Sequence, residues 1–364
     1  QSAGARGLHA ALSSGRLARV GSISSPAGMP HARRTFLPHA AGACERHLGK
    51  LGRHASLRTA LANDLLLLVC AVRAAVLWDY WSLDGVAEDD GGWSTNGSAI
   101  QLSQLLSFLD DLKASSPEAA VLEALCIGAS VFVVNAVALR GMLECGPGAD
   151  LGELGDLVAV DAHLPAPRLC SAEERQGICA GLSELSATLL DACARRPPDG
   201  PGQQPSELLV RLPCPRPAPL MVAVHGWLLG YPSVYCHAAA SPRGEGEEGQ
   251  EPLTEAAAVS DGLSDGPAAG NATCLSGHTL SVCVVTAQRR LSGLRLPETA
   301  PAAPQVHRVC SFSLPAASGA PLERPSVHAW WVGMQARFAS AECAAFWEEP
   351  RLEVQVRDGM GVAL

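Results

Sequence analysis

The sequence predicts an α/β fold with one mixed β-sheet, in which helices and strands alternate in the first half and mainly antiparallel strands fill the second half. Apolar runs that end in polar residues alternate with amphipathic helical segments over roughly the first 200 residues. From Leu208 onward, strand-like runs follow one another with a single helical interruption. With 364 residues and 48% hydrophobic content, the chain can bury the core of a single domain.

Three apolar runs in the first half each lead into a polar residue. They are Leu65–Trp78, Ile127–Val134 and Leu157–Val160, followed by Asp79, Asn135 and Asp161 respectively. Helical patterns alternate with these runs. Apolar residues between Ile100 and Leu112 fall on one helical face, and a second helix begins where Ser171 and Glu174 form a capping box.

The second half is dominated by strand-like runs. These are Leu208–Leu212, Leu220–Val224, Ser233–Cys236, Leu280–Thr286, Val306–Phe312 and Leu352–Val356, with a helix at about Val327–Ala341. His225 and Gly226 directly follow the second run. We interpret His225 as the end of a strand and Gly226 as the point where the backbone leaves the sheet.

Two segments with charge of a single sign are predicted to lie outside the fold. Residues 1–44 contain five arginines and no acidic residue, and 244–271 contains seven acidic residues and no lysine or arginine. Both compositions favour disorder, so a single domain is predicted over 45–364, with 244–271 as a disordered acidic insertion. For 1–44, a mitochondrial targeting segment and a non-native extension ahead of a true start at Met29 stay open as alternatives.

The net charge and the cysteine content limit the cellular compartments and the classes of partner that the sequence favours. A net charge of −9 disfavours nucleic acid as a partner. The segment Ala124–Leu139 is the nearest to a membrane span, but its sixteen residues fall short of the roughly 20 that a bilayer requires. Thirteen cysteines without any C-x-x-C pair predict reduced thiols in an intracellular, cytoplasmic protein and no zinc site. Only two of the 27 basic residues are lysines, a bias typical of a GC-rich gene.

No motif for catalysis or cofactor binding lies in the secondary structure that its chemistry requires. Gly262-Leu-Ser264-Asp-Gly266 matches the nucleophile motif of α/β-hydrolases, but it lies in the acidic segment and proline follows it, so no helix can begin there. We therefore predict no serine-hydrolase activity at Ser264. The sequence has neither a phosphate-binding loop nor a dinucleotide fingerprint, and no cofactor is predicted.

The strand ends supply one hypothesis for a site. If the strands that lead to Asp79, Asn135, Asp161 and His225 are parallel, these four side chains lie along one edge of the sheet. Asp161 and His225 would then form an acid-base pair or, with His163, a metal site, while Asp79 and Asn135 orient a substrate. The alternative is that polar residues simply mark where strands reach the surface.

Two short segments carry a resemblance to a known family. Val76-Leu-Trp-Asp-Tyr80 together with His225-Gly-Trp-Leu-Leu-Gly-Tyr-Pro232 resembles an animal protein family of unknown function, the chromosome-one open-reading-frame-seventy-four product. The resemblance covers about Glu45 to Leu364. It implies neither an activity nor any functional residues.

Two classes of function remain after these tests. The favoured class is a soluble intracellular binding or interaction module without catalysis, because no catalytic motif holds in its context. The alternative is a hydrolase-like enzyme with a polar pocket at the strand ends.

Overall fold

A computed structural model describes residues 32–49, 54–78, 95–128, 130–146, 155–160, 164–194, 209–212, 220–236, 275, 278–290, 306–316 and 319–358, and it confirms the α/β class. In chain order the elements are α1 (Ala32–His47), α2 (Ala55–Val69), β1 (Ala75–Leu77), α3 (Thr95–Ser115), a 3-10 turn (Pro117–Val121), β2 (Leu122–Ile127), β3 (Ser130–Asn135), α4 (Ala136–Cys145), β4 (Asp156–Ala159), β5 (Arg168–Leu169), α5 (Ala172–Ala194), β6 (Leu209–Leu212), α6 (Leu220–Leu228), β7 (Ser233–Cys236), β8 (Leu280–Gln288), β9 (Val306–Pro315), a 3-10 turn (Pro321–Glu323), α7 (Pro325–Ala339), α8 (Ala341–Ala344) and β10 (Arg351–Arg357).

The described strands form three small sheets, where the sequence predicted one mixed sheet. The first has the order β1-β3-β2-β6 and is mixed, because β2 pairs parallel with β6 and antiparallel with β3. The second has the order β5-β4-β7, with β4 parallel to β7 and antiparallel to β5. The third, β10-β8-β9, is entirely antiparallel, which confirms the prediction for the end of the chain.

Side chains on the two faces of the first sheet enter two different cores. Ala124 and Val133 lie in a core shared with α1, α2 and α3. Leu125, Phe132 and Val134 lie in a second core shared with α4, α5 and α6. Because successive residues of a strand point to opposite faces, this hairpin is buried on both sides, which explains its nearly continuous apolar sequence.

The prediction of a strand at Leu220–Val224 is wrong, because this segment lies in α6. Its buried residues Ala223, Val224, Trp227 and Leu228 recur at helical spacing, and they pack into the second core. A short apolar run does not distinguish a buried strand from a buried helix. The helix ends at Leu228, and the turn that follows contains Gly230, whose φ of +69° favours glycine; β7 begins three residues after this glycine.

The predicted N-terminal extension overlaps a folded element. Residues 32–44 lie in α1, where Phe36, Ala40 and Cys44 are fully buried in the first core. The composition of 1–44 as a whole masks this apolar face, so the folded part of the chain begins earlier than predicted. Residues 1–31 and the predicted acidic insertion 244–271 lie outside the described residues.

The capping box predicted at the start of α5 is confirmed, and the helix itself is long and apolar. Glu174 accepts from the backbone N–H of Ser171 at 2.7 Å, while Ser171 Oγ accepts from the Glu174 N–H at 3.2 Å. Among the described helices, α5 is the one long and apolar enough to cross a membrane by length and composition. Its Ile178, Leu182, Leu185 and Leu189 are buried in the second core, and core helices pass the same test, so this is weak evidence for a span.

Candidate functional site

Ser130 and His225 meet where the β2–β3 hairpin contacts α6. Ser130 Oγ lies 2.8 Å from His225 Nε2. The tight turn of the hairpin begins at Gly128, which has a φ of +59° and donates its N–H to the carbonyl of Leu212 in β6. The turn thus places Ser130 at the start of β3, and the helical conformation of α6 brings the His225 ring to it.

Burial sets the charge of His225. Desolvation lowers its pKa, so the imidazole is neutral at pH 7 and one ring nitrogen is free to accept a proton. The ring edge also contacts Phe132, with ring centroids 5.5 Å apart. A neutral imidazole that accepts the hydroxyl proton of serine is the arrangement of a nucleophile and its general base. The described hydrogen bonds give His225 no carboxylate partner, so the dyad lacks the third group of a triad there.

Asn135 has a structural role at the end of β3. Its Oδ1 accepts from the backbone N–H groups of Val137 and Ala138 at 3.0 Å, so the side chain caps α4. Its Nδ2 donates to the carbonyl oxygen of Leu68 at 2.7 Å. With its donor and acceptor engaged and only 3% of its surface exposed, Asn135 does not point into a ligand site.

The predicted four-residue edge is not formed as proposed. β1 and β3 are antiparallel, so the carboxyl ends of these two strands lie at opposite edges of the first sheet. His225 lies on a helix instead of at a strand end. Asp79, Asp161 and His163 lie outside the described residues, and the roles predicted for them stay predictions. Within the ranges described, no three His, Cys, Asp or Glu side chains are grouped so that they could hold a metal ion.

A pair of thiols was not found by sequence reasoning. Cys170 Sγ and Cys236 Sγ are 3.2 Å apart, and the two residues lie on opposite sides of β4. The hydrogen bond from Cys236 is the main cause that lowers the pKa of Cys170. Sixty-six residues separate the two cysteines in the chain. No local spacing could therefore have indicated the pair, and only the pairing of β5 and β7 with β4 brings it together.

No family model, no curated protein and no solved structure matches the chain. The resemblance suggested by Val76–Tyr80 and His225–Pro232 therefore stays a prediction.

Proposed function

We propose that this protein is a non-catalytic intracellular interaction module that pairs with a second copy of itself along the outer edge of β10. The observation that carries the proposal is the exposure of this strand. Among the described strands, β10 pairs with β8 alone and is an edge of the third sheet. Val354 is 39% exposed and Val356 is 66% exposed, so two β-branched apolar side chains stand in solvent on an open strand.

An open edge presents unpaired backbone groups to any extended segment. Natural proteins protect such edges with charged side chains, above all lysine, and with proline or bulges. β10, with the sequence Arg351-Leu-Glu-Val-Gln-Val-Arg357, carries three charged residues but neither lysine nor proline, and its pairing with β8 runs without a register shift. Strand addition along this edge is the mode of interaction that these features favour.

The charge pattern of β10 indicates a second copy as the partner. In an antiparallel pair centred on Gln355, Glu353 of each copy lies opposite Arg357 of the other. The same register places Val354 opposite Val356, so apolar groups pair on one face while opposite charges pair on the other face. The resulting twofold interface is self-complementary, as an isologous contact requires.

Within one chain, these polar residues already form a row on the exposed face. Arg357 Nη2 donates to Gln355 Oε1 at 2.7 Å, and Gln355 Nε2 donates to Glu353 Oε1 at 3.0 Å. These hydrogen bonds hold the three side chains along the strand. In the dimer, Glu353 and Arg357 would replace them with contacts to Arg357 and Glu353 of the second copy. Exchange costs little, since exposed polar contacts contribute little to stability.

The test is the mass of the full chain in solution, measured by light scattering over a concentration series. The wild type is expected to dimerise. Glu353→Arg and Arg357→Glu each place two like-charge pairs in the interface and should weaken the dimer by at least about tenfold. The double variant Glu353→Arg with Arg357→Glu restores opposite charges and should restore the dimer.

Arg351→Glu is the matched control, because Arg351 lies on the same strand but outside the five residues from 353 to 357 that pair in this register. It should leave the dimer unchanged. A wild type that stays monomeric throughout the series, or single variants that dimerise as well as the wild type, would overturn the proposal.

A second candidate function, a hydrolase-like enzyme, is favoured by the Ser130–His225 hydrogen bond at 2.8 Å. Here Ser130 would be the nucleophile and the neutral His225 its base. A fluorophosphonate probe should then label the purified protein, and Ser130→Ala should abolish the label. Ser264→Ala is the control and should not change it, and absence of labelling in the wild type removes this candidate.

A further inference from the structure

Cys170 and Cys236 are positioned by backbone pairing on either side of β4. The Cys170 N–H donates to the carbonyl of Leu157 at 2.9 Å, directly after β5. Cys236 is the last residue of β7 and pairs with Ala159. Leu157 and Ala159 point to the same face of β4, so the two thiols approach each other over that face, and their sulfur atoms lie 3.2 Å apart.

The two thiols differ in accessibility. Cys236 is 1% exposed, and its thiol also contacts the carbonyl of Val158 at 3.5 Å. Cys170 is half-buried, and it lies two residues before Ala172, the first residue of α5, where the positive end of the helix dipole favours an anion. A reagent from solvent therefore meets Cys170 first, while Cys236 lies behind it.

The electrostatic surroundings distinguish Cys170 from the buried cysteines. The hydrogen bond with Cys236 is the largest effect on its pKa and lowers it, and the charges of Arg168 and Arg175 act in the same direction, while burial and the charge of Glu174 oppose them without reversing the shift. Burial instead raises the pKa of Cys44 to about 12 and that of Cys310 to about 11. Cys170 thus combines access with thiolate character, the two properties that make a cysteine reactive.

We propose that Cys170 and Cys236 form an oxidisable dithiol site whose oxidant is a hydroperoxide, with Cys170 as the attacking thiolate and Cys236 as the resolving thiol. The Cys170 sulfur attacks one peroxide oxygen, the O–O bond breaks, and the other oxygen leaves as alkoxide or hydroxide. Cys170 is then a sulfenic acid, oxidised by two electrons, while the peroxide is reduced.

The second step forms the disulfide. The Cys236 sulfur attacks the Cys170 sulfur, and the S–O bond breaks. The hydroxyl group leaves with the Cys236 proton as water. The sulfur atoms start 3.2 Å apart and must approach by about 1 Å to reach the bond length of a disulfide. The product links the start of α5 to the end of β7.

Mass spectrometry of the full chain tests this proposal directly. The reduced protein is treated with increasing hydrogen peroxide, blocked with N-ethylmaleimide, and digested with trypsin and chymotrypsin. Trypsin releases Leu169–Arg175, which contains Cys170 alone, and chymotrypsin separates Cys236 from Cys214 by cutting after Trp227. A linked peptide that joins Cys170 to Cys236 is expected at the lowest peroxide concentration that oxidises any cysteine.

Two variants separate the roles of the thiols. Cys236→Ser removes the resolving thiol, so Cys170 should accumulate as a sulfenic acid that dimedone traps. Cys179→Ser is the matched control, since Cys179 lies on α5 and burial raises its pKa. That change should leave the Cys170–Cys236 link unaffected.

Other outcomes overturn the proposal. One is that peroxide oxidises other cysteines of the wild type while Cys170 and Cys236 are still reduced and therefore react with N-ethylmaleimide. The other is that the sulfenic acid forms at Cys179 before it forms at Cys170. The order in which peroxide oxidises the cysteines of the wild-type protein tests the proposal without any variant. A variant that fails to fold therefore does not leave the question open.

Discussion

Asn135 Nδ2 donates a 2.7 Å hydrogen bond to the carbonyl oxygen of Leu68, and this bond joins the end of β3 to the last turn of α2. The same side chain caps α4 through Val137 and Ala138. The side-chain amide of this one residue therefore connects β3 with both α2 and α4. A polar residue in this position stabilises the junction of the two cores instead of binding a ligand.

Replacing Asn135 is expected to destabilise the protein strongly. Asn135→Ala removes the cap of α4, which contributes about 1 kcal/mol. It also removes one of the two hydrogen bonds to the Leu68 carbonyl, which keeps the bond from the Ala71 N–H at 2.8 Å, at a further cost of about 1 kcal/mol. Asn135→Ser keeps a capping oxygen and should lose about 1 kcal/mol less than the alanine variant. Urea unfolding measures both. Equal stability of the wild type and the alanine variant would contradict this role.

Two helical glycines should respond oppositely to alanine. A Cβ atom on Gly226 would lie 3.1 Å from Cγ1 of Val234, whereas one on Gly177 in α5 has no neighbour within 4 Å. Gly177→Ala should therefore raise the free energy of unfolding by about 1 kcal/mol through helix propensity. Gly226→Ala should gain nothing or lose stability, because α6 must move away from β7.

Combining Gly226→Ala with Val234→Ala isolates the contact between α6 and β7. The double variant should be more stable than the sum of the two single effects predicts, since the smaller side chain relieves the crowding. Additive effects would show that Gly226 is not retained for this close approach.

Acid should weaken the start of α5. The hydrogen bond from Arg168 is the largest cause that lowers the pKa of Glu174 to about 2, from an ordinary value of 4.5. A depressed carboxyl pKa stabilises the fold above the unfolded value, and this contribution is lost as the pH falls from about 4.5 toward 2.

Thermal unfolding of the wild type and Glu174→Gln over this pH range measures the effect. The variant retains an acceptor for the Ser171 N–H but carries no charge, so its stability should change less with pH. We expect the two proteins to differ by about 1 kcal/mol near neutral pH and to converge near pH 2. A difference that stays constant over the whole range would count against an ionic contribution from Glu174.

Limited proteolysis tests the predicted acidic insertion. A glutamate-specific protease should cut within 244–271, which contains five glutamates, before it cuts at Glu173, Glu174 or Glu184 of α5. Early cleavage within α5 would contradict the domain boundaries drawn from composition.

Local sequence signals predicted those elements in which local chemistry and tertiary packing agree. The capping box of Ser171 and Glu174 fixed the start of α5, and the run from Leu280 onward is a strand as predicted. The run Ile127–Val134 contains most of β3, but it also includes the end of β2 and the turn at Gly128, which its apolar composition did not reveal. The sequence did not predict α6, because Leu220–Val224 is apolar throughout and shows no periodicity that distinguishes a helix from a strand. The packing of Trp227 and Leu228 into the second core favours the helix.

The sequence by itself determined the α/β class and the order of most elements. Tertiary structure decided which residues meet. Ser130 contacts His225 across 95 positions of the chain, and Cys170 contacts Cys236 across 66. The physical reason is that periodicity and capping depend on neighbours within a few residues, whereas a site depends on strand order and direction. Those are set by how the apolar faces of all the elements pack together.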